Sequence, residues 1–222
     1  MCVADKRHYR QFCGLASALD VIGERWTLLI VRELLLAPAR FSEIQENLPG
    51  LGTNLLSERL RVLTEQGIIE ALPVEGDGRG KQYRLTATGQ HLRAPLLMLS
   101  RWGMNFLSED DAENGAARGA WGFLAVQAMI HGRPAPSIDE SYEFRVDDEV
   151  FHIRVQDEEA TAHHGPANAP AIVVSTDART FVRIGAELLS PFDAVATGRL
   201  TIEGDEAAIR RCSKFMGLTA PA

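Results

Sequence analysis

Ala39-Arg40-Phe41-Ser42-Glu43-Ile44 begins the stretch of sequence that decides the fold, and Arg84-Leu85-Thr86 ends it. Ser42, with Gln45 three residues later, is a capping pattern that predicts the start of a short helix. The residues Pro49-Gly50-Leu51-Gly52 then predict a tight turn. A short helix followed by such a turn is typical of the first half of a helix-turn-helix.

A second helix is predicted directly after this turn. Thr53 is a suitable N-cap, and Gly67 suits the end of a helix that runs to about Gln66. Two sets of residues recur at helical spacing on opposite sides: Leu56, Leu60 and Leu63 on one, and Asn54, Ser57, Glu58 and Arg61 on the other. The segment therefore predicts an amphipathic helix with one buried and one polar face.

Two strands around a Gly-rich basic turn complete this unit. Ile68 to Leu72 and Lys81 to Leu85 read as strands, joined by Glu75-Gly76-Asp77-Gly78-Arg79-Gly80. Thr86 is predicted to cap one further helix, in which Pro95 is an irregularity. A polar helix face and a basic hairpin on one side of a small domain are the arrangement of a winged helix-turn-helix that reads DNA.

The second half of the chain has a mixed pattern. Helices are predicted from Trp121 to Ile130, from Ala178 to Leu188 and from Glu206 to Met216, and strands around residues 142–146, 150–155, 160–164, 171–175 and 198–203. The predicted fold class is therefore α+β, with an N-terminal winged helix-turn-helix domain followed by an α+β domain that has a mostly antiparallel sheet.

Charge divides the 222 residues, whose net charge is −7, into two unlike halves. Residues 1–108 carry 13 Lys and Arg against 11 Asp and Glu, whereas the remainder carries 10 against 19. The mildly basic half suits phosphate, and DNA would repel the acidic half. We expect a DNA-binding domain at residues 1–108, an acidic linker at 109–117 and a second domain at 118–222.

Composition also limits location and chemistry. No apolar run approaches the roughly 18 residues that span a bilayer, and residues 1–7 lack the apolar region of a secretory signal. Three cysteines, an odd count, fit a reducing cytoplasm. We find no nucleophile elbow, phosphate loop or metal-ligand cluster. The sequence predicts a cytoplasmic protein without membrane contact, enzymatic activity, catalytic residues, cofactor or metal.

Several motifs in order resemble the HxlR family of bacterial transcription regulators. They are Cys13, Ala18-Leu19-Asp20-Val21-Ile22-Gly23-Glu24-Arg25-Trp26-Thr27-Leu28-Leu29-Ile30, residues 40–44, residues 56–60 and Tyr83-Arg84-Leu85-Thr86-Ala87-Thr88-Gly89. The resemblance covers roughly Cys13 to Gly103. It implies a homodimer whose interface is built by the N- and C-terminal helices of the winged-helix domain. Such a dimer would bind a pseudo-palindromic site in double-stranded DNA.

The second half resembles a sterol carrier protein type 2 fold. The resemblance rests on Ala196-Thr197-Gly198-Arg199-Leu200-Thr201-Ile202-Glu203-Gly204-Asp205 and a closing helix to Phe215. It implies a domain that encloses an apolar small-molecule effector. The candidate pocket residues are large and apolar: Trp121, Phe123, Met129, Phe144, Phe181, Ile184, Phe215 and Met216. Ordinary core packing is the alternative interpretation of the same residues.

The candidate DNA contacts lie on the second helix and the wing. Asn54 is suited to adenine, Arg61 to guanine or a phosphate, and Ser57 and Glu58 to exposed amino groups of bases. A solvated helix face is the alternative. On the wing, Arg79 and Lys81 are expected to reach phosphates or the minor groove.

Weaker phosphate contacts are expected from Arg40, Ser42, Thr53 and Arg59. Arg59 is equally suited to pair with a carboxylate inside the domain, and helix capping alone would explain Thr53.

Cys13 is a candidate redox switch, because a helix start and the nearby Arg10 would lower its pKa and favour the thiolate. A small residue buried in the dimer interface is the alternative. The leading hypothesis is a DNA-binding transcriptional regulator that responds to an apolar ligand. The alternatives are a lipid or small-molecule carrier that uses the winged helix as an interaction module, and a redox-sensing regulator that acts through Cys13.

Overall fold

The computed structural model of the chain describes residues 8–74 and 76–218, with the backbone alone for residues 78 and 79. Contacts divide the chain into two units, one ending at Leu96 and one beginning at Leu97. The α+β fold class, with a winged helix-turn-helix first and a mostly antiparallel sheet second, is confirmed. The finer bounds 1–108, 109–117 and 118–222 stay a prediction.

The first unit is the winged helix-turn-helix. Its elements in chain order are α1 (Gly14–Ile22), α2 (Thr27–Leu36), β1 (Ala39–Arg40), α3 (Phe41–Asn47), α4 (Thr53–Glu65), β2 (Ile69–Val74), β3 (Asp77–Leu85) and α5 (Ala87–Gln90). Helix α6 (Arg93–Gly103) carries the chain into the second unit. The strands form an antiparallel sheet in the order β1-β3-β2, with a register shift between Pro73 and Val74.

The core of this unit explains why α4 presents one polar face. Leu56, Leu60 and Leu63 are buried, as the sequence predicts, together with Ile30 of α2 and Ile44 of α3. Burying a side chain of this size stabilises the fold by roughly 1.5–3 kcal/mol. The rotation of α4 about its axis is therefore fixed by its leucines, and its polar residues are left outside.

The predicted caps of α3 and α4 are wrong. Helix α3 begins at Phe41 because β1 pairs with β3 and leads directly into it, so Ser42 already lies inside the helix. The carboxylate of Glu43 accepts a hydrogen bond from the backbone N–H of Arg40, the N-cap residue. Helix α4 has Gly52 as its N-cap, and Thr53 is its first residue.

The helix predicted after Thr86 is present as two helices, α5 and α6. Thr86 caps α5 as expected, since its hydroxyl accepts a hydrogen bond from the backbone N–H of Gly89. The break precedes Pro95, which lies in the first turn of α6. Proline has no N–H to donate to the preceding turn, so a helix begins near it more readily than it passes through it.

The second unit is an α+β domain. Its elements are α7 (Glu109–Asn114), α8 (Gly119–Ile130), β4 (Glu140–Val146), β5 (Glu149–Gln156), β6 (Glu159–His164), β7 (Ile172–Thr176), α9 (Ala178–Gly185), α10 (Pro191–Ala196), β8 (Leu200–Gly204) and α11 (Glu206–Met216). The predicted linker segment contains α7, whose first turn is capped by Ser108 and carries three acidic residues that favour a helix N-terminus. Helix α10 was not predicted.

The five strands of this unit form one sheet in the order β6-β5-β4-β7-β8. Only the central β4–β7 pair of this sheet is parallel, and it places Phe144 opposite Val174. One face of the sheet carries the buried side chains of Tyr142, Phe144, Phe151 and Ile153. These side chains and the apolar residues of the helices form the core of the unit.

Candidate nucleic-acid interface

Helix α4 presents the four polar residues that the sequence places on its outer face. Asn54, Ser57, Glu58 and Arg61 are all exposed, opposite the buried leucine stripe. Polar side chains at this spacing on the second helix of a helix-turn-helix are positioned to meet base edges in a major groove. This exposed face is the centre of the candidate interface.

Arg61 lies between two carboxylates on this face. Its Nη2 donates to Glu58 Oε1 at 2.8 Å, and its Nη1 donates to Glu65. The hydrogen bonds from Arg61 lower the pKa of Glu58. Because the pairs are exposed, each contributes little stability. Arg61 can therefore release one of these carboxylates and bind an acceptor on DNA at little cost in free energy.

Arg59 points away from this face. Its Nη2 donates to Glu24 Oε2 at 3.0 Å, and its Nε donates to the carbonyl oxygen of Arg25 at 3.4 Å. The side chain of Arg59 is 16% exposed, against 54% for Arg61. The sequence suggested that Arg59 contacts phosphate or pairs with a carboxylate inside the domain, and the structure contains the second arrangement.

The remaining candidate contacts surround α4. Ser42 is exposed on α3, and Thr53 is exposed at the start of α4, where its hydroxyl accepts a hydrogen bond from Gln45. Arg40 is paired with Asp77 of the wing at 3.2 Å. Lys81 is exposed on β3, and no carboxylate among the described residues forms an ion pair with it. The side chain of Arg79 lies outside the described residues.

Cys13 is exposed and is the N-cap residue of α1. The backbone N–H groups of Ala16 and Leu15, at the start of α1, lower the pKa of its thiol. The sequence predicted such a shift from the helix start and Arg10, and the two N–H groups that lower this pKa belong to the helix start. The other described cysteine, Cys212, is buried in α11, and burial raises the pKa of its thiol.

The second unit contains an apolar cavity between its sheet and its helices. The cavity volume is about 60 Å³, several times the roughly 10–15 Å³ that one water molecule needs. Five predicted pocket residues line it: Met129, Phe144, Phe181, Ile184 and Met216. The sequence analysis missed four aliphatic residues of β7 and β8 on the cavity wall: Ile172, Val174, Leu200 and Ile202.

The other three predicted pocket residues are not part of this lining. Phe123 packs against Phe151 and the ring of His164, and the guanidinium of Arg118 lies over Trp121. Phe215 is buried in α11, where its carbonyl oxygen accepts a hydrogen bond from Arg133. Among the described residues, no group of three His, Cys, Asp or Glu side chains is arranged to hold a metal ion.

Comparison with known proteins identifies the first unit. The model of the HxlR-like helix-turn-helix family matches residues 21–111. An uncharacterized HTH-type transcriptional regulator of Mycobacterium tuberculosis is 39% identical over 107 residues, which are 48% of this chain and 67% of that protein. The HTH-type transcriptional regulator YodB of Bacillus subtilis is 32% identical over 97 residues, which are 44% of this chain and 87% of YodB.

The chain belongs to the HxlR-like helix-turn-helix family. It is a helix-turn-helix transcriptional regulator, and no enzyme family is indicated. This HxlR-like regulator also carries a second domain, since the model of the SCP-2 sterol transfer family matches residues 135–217. Both resemblances that the sequence motifs suggested are thereby confirmed.

Among solved structures, the reduced form of the transcriptional regulator YodB from B. subtilis is 31% identical in sequence, and the TM-score is 0.39. The match covers 45% of this HxlR-like chain and 98% of the YodB chain. In the part of the chain that the structure describes, no helix has both the length and the apolar character needed to cross a bilayer.

Proposed function

We propose that this HxlR-like regulator binds a pseudo-palindromic DNA site as a homodimer, with α4 in the major groove and the wing on the backbone. The exposed row of Asn54, Ser57, Glu58 and Arg61 carries the proposal, because buried leucines fix this row outward. Lys81 and Arg79 supply phosphate contacts from the wing. Residues 1–108 are then the DNA-binding and dimerisation domain, acting in the cytoplasm where the DNA is.

A DNA-binding selection tests this function directly. The purified chain is incubated with randomised duplex DNA, and an enriched sequence is then titrated by fluorescence anisotropy. The Arg61→Ala, Lys81→Ala variant should lose at least tenfold in affinity, whereas Arg154→Ala, an exposed arginine of the second unit, should bind normally. If no sequence is enriched, a carrier that uses the winged helix as an interaction module becomes the better account.

The homodimer is proposed from apolar side chains that the single chain leaves in solvent. Helix α1 exposes Leu15 and Leu19, and helix α6 exposes Met98, Leu99 and Trp102. Large exposed apolar residues grouped on a helix are typical of protein–protein interfaces. A two-fold axis would also place two α4 helices about one turn of DNA apart, as a pseudo-palindromic site requires.

We further propose that the domain at residues 118–222 binds an apolar small molecule that changes the affinity of the regulator for DNA. The apolar cavity and the SCP-2 match support this step. Titration with N-phenyl-1-naphthylamine, an apolar fluorophore, should give a saturable fluorescence rise. Ile184→Trp, which fills the cavity, should abolish the rise, and Ile138→Trp, an exposed residue outside the lining, should keep it. An equal response from both variants would exclude the cavity as the binding site.

Regulation through Cys13 is a second candidate. The exposure of this thiol and its lowered pKa favour reaction with oxidants or electrophiles. If Cys13 is the sensor, diamide should release DNA from the wild type and have no effect on Cys13→Ser. Release from both proteins, or from neither, would exclude this role.

A further inference from the structure

The turn between α1 and α2 is attached to the recognition helix α4 by Arg59. The guanidinium donates to the Glu24 carboxylate at 3.0 Å and to the Arg25 carbonyl oxygen at 3.4 Å. Glu24 is mostly exposed, whereas Arg59 is mostly buried. An arginine with both a carboxylate and a backbone carbonyl as acceptors is held in one orientation.

The same turn also contacts the turn that precedes α4. Trp26, the N-cap residue of α2, has a φ of 76°, which is unusual for a bulky residue. Its ring lies beside Gly50, where a Cβ atom would be 3.7 Å from the indole, and Gly50 has a φ of 91°. Strained residues of this kind persist where the surroundings hold them. The segment Gly23–Trp26 therefore contacts both α4, through Arg59, and the turn that precedes α4.

We propose that Arg59 is a positioning residue: it fixes the direction of α4 through Glu24 and Arg25 and does not contact DNA itself. The proposal rests on the proposed function, since it concerns how the DNA-binding helix is held. It assigns the two arginines of α4 to different tasks, with Arg61 facing DNA and Arg59 facing the protein.

The substitution Glu24→Gln separates this role from a phosphate contact, because the two roles predict opposite signs. If Arg59 bound phosphate, loss of the competing carboxylate would free the guanidinium and strengthen DNA binding. If Arg59 positions α4, the same substitution weakens binding, by about three- to tenfold. Glu24 is mostly exposed, so the variant should fold normally.

Salt dependence gives a second readout, which separates a positioning role from a phosphate contact. Loss of a phosphate contact lowers the slope of log K against log salt by about 1. We expect Arg59→Ala to weaken binding with an unchanged slope and Lys81→Ala to reduce the slope. The effects of Glu24→Gln and Arg59→Ala should be strongly non-additive, since both break one interaction.

The charge-swapped variant Glu24→Arg, Arg59→Glu completes the test by anisotropy with the enriched DNA sequence. It should recover most of the affinity lost in Arg59→Glu alone, because the pair is restored away from DNA. Tighter binding by Glu24→Gln, a reduced slope in Arg59→Ala or no recovery in the swap would overturn the proposal. Absence of DNA binding by the wild type would instead overturn the proposed function.

Discussion

The side-chain amide of Gln45 donates a hydrogen bond to the hydroxyl of Thr53 at 2.9 Å. Gln45 belongs to α3 and Thr53 begins α4, so this bond joins the two helices of the helix-turn-helix across their turn. The residues expected to cap two separate helices thus hold the helices together.

Thr53→Val removes the acceptor and keeps the shape of the side chain. We expect a loss of about 0.5–1.5 kcal/mol in the free energy of unfolding, the usual contribution of one hydrogen bond. Urea denaturation measures it. Thr53→Ser retains the hydroxyl and should lie close to the wild type. A Val variant as stable as the wild type, together with a less stable Ser variant, would show that the methyl group matters and the bond does not.

Trp102→Glu tests the dimer interface. Trp102 is 60% exposed on α6, with its ring centroid 4.6 Å from that of Phe106. A carboxylate there would be buried unpaired in a dimer, so the dissociation constant should rise at least a hundredfold. Sedimentation equilibrium reports the change.

Ile138→Glu is the matched control for Trp102→Glu. Ile138 is an apolar residue of the second unit that is 49% exposed and lies outside α1 and α6. This variant should remain dimeric. A monomeric wild type, or a dimer that tolerates Trp102→Glu, would contradict the proposed interface.

Glu140→Gln should make stability less dependent on pH. Arg211 donates to both carboxylate oxygens of Glu140, at 2.7 and 2.6 Å, and these bonds hold the pKa of Glu140 below its usual value. A carboxylate with a lowered folded pKa contributes stability above its unfolded value, about 4.3. That contribution disappears as the pH falls through the folded pKa.

We therefore expect Glu140→Gln to lose about 1–3 kcal/mol at pH 7, a range reduced for the partial exposure of Arg211. The difference from the wild type should shrink as the pH falls from 5 toward 3. Urea titrations at several pH values measure it, with Glu206→Gln, an exposed glutamate of α11, as the control. A difference that stays constant with pH would contradict the assignment.

The two described cysteines should react at very different rates. With Cys2→Ser in the background, iodoacetamide should modify Cys13 within minutes, because its thiol is exposed and has a lowered pKa. Cys212 should react only on unfolding, because it is buried with a raised pKa. Peptide mass spectrometry locates the adducts. Comparable labelling of both cysteines in the folded chain would contradict this environment for Cys212.

Elements with strong periodicity could be predicted from the sequence. The leucine stripe defined α4, and the pattern from Glu206 to Met216 gave the bounds of α11 as the structure has them. Local signals were less reliable at helix ends. Ser42 and Thr53 have the composition of caps, but pairing of β1 with β3 moved the start of α3 and Gly52 took the capping position of α4.

The partners of individual side chains could not be predicted, because they depend on contacts between distant residues. Glu24 and Arg59 are 35 residues apart, and nothing in their local sequence joins them. The cavity shows the same limit. All but one of the residues predicted for it lie on helices, whereas much of its wall comes from aliphatic residues of β7 and β8, which pair only in the folded sheet.

The parallel pairing of β4 with β7 affects how quickly the second unit can fold. Residues 147–171, which contain β5 and β6, separate the two strands, and a tight turn cannot join parallel neighbours. The β7–β8 half of the sheet must therefore find its place by a long-range search, and contacts of high sequence separation slow folding. The unit with the apolar cavity should complete its folding after the helix-rich unit that precedes it has emerged from the ribosome.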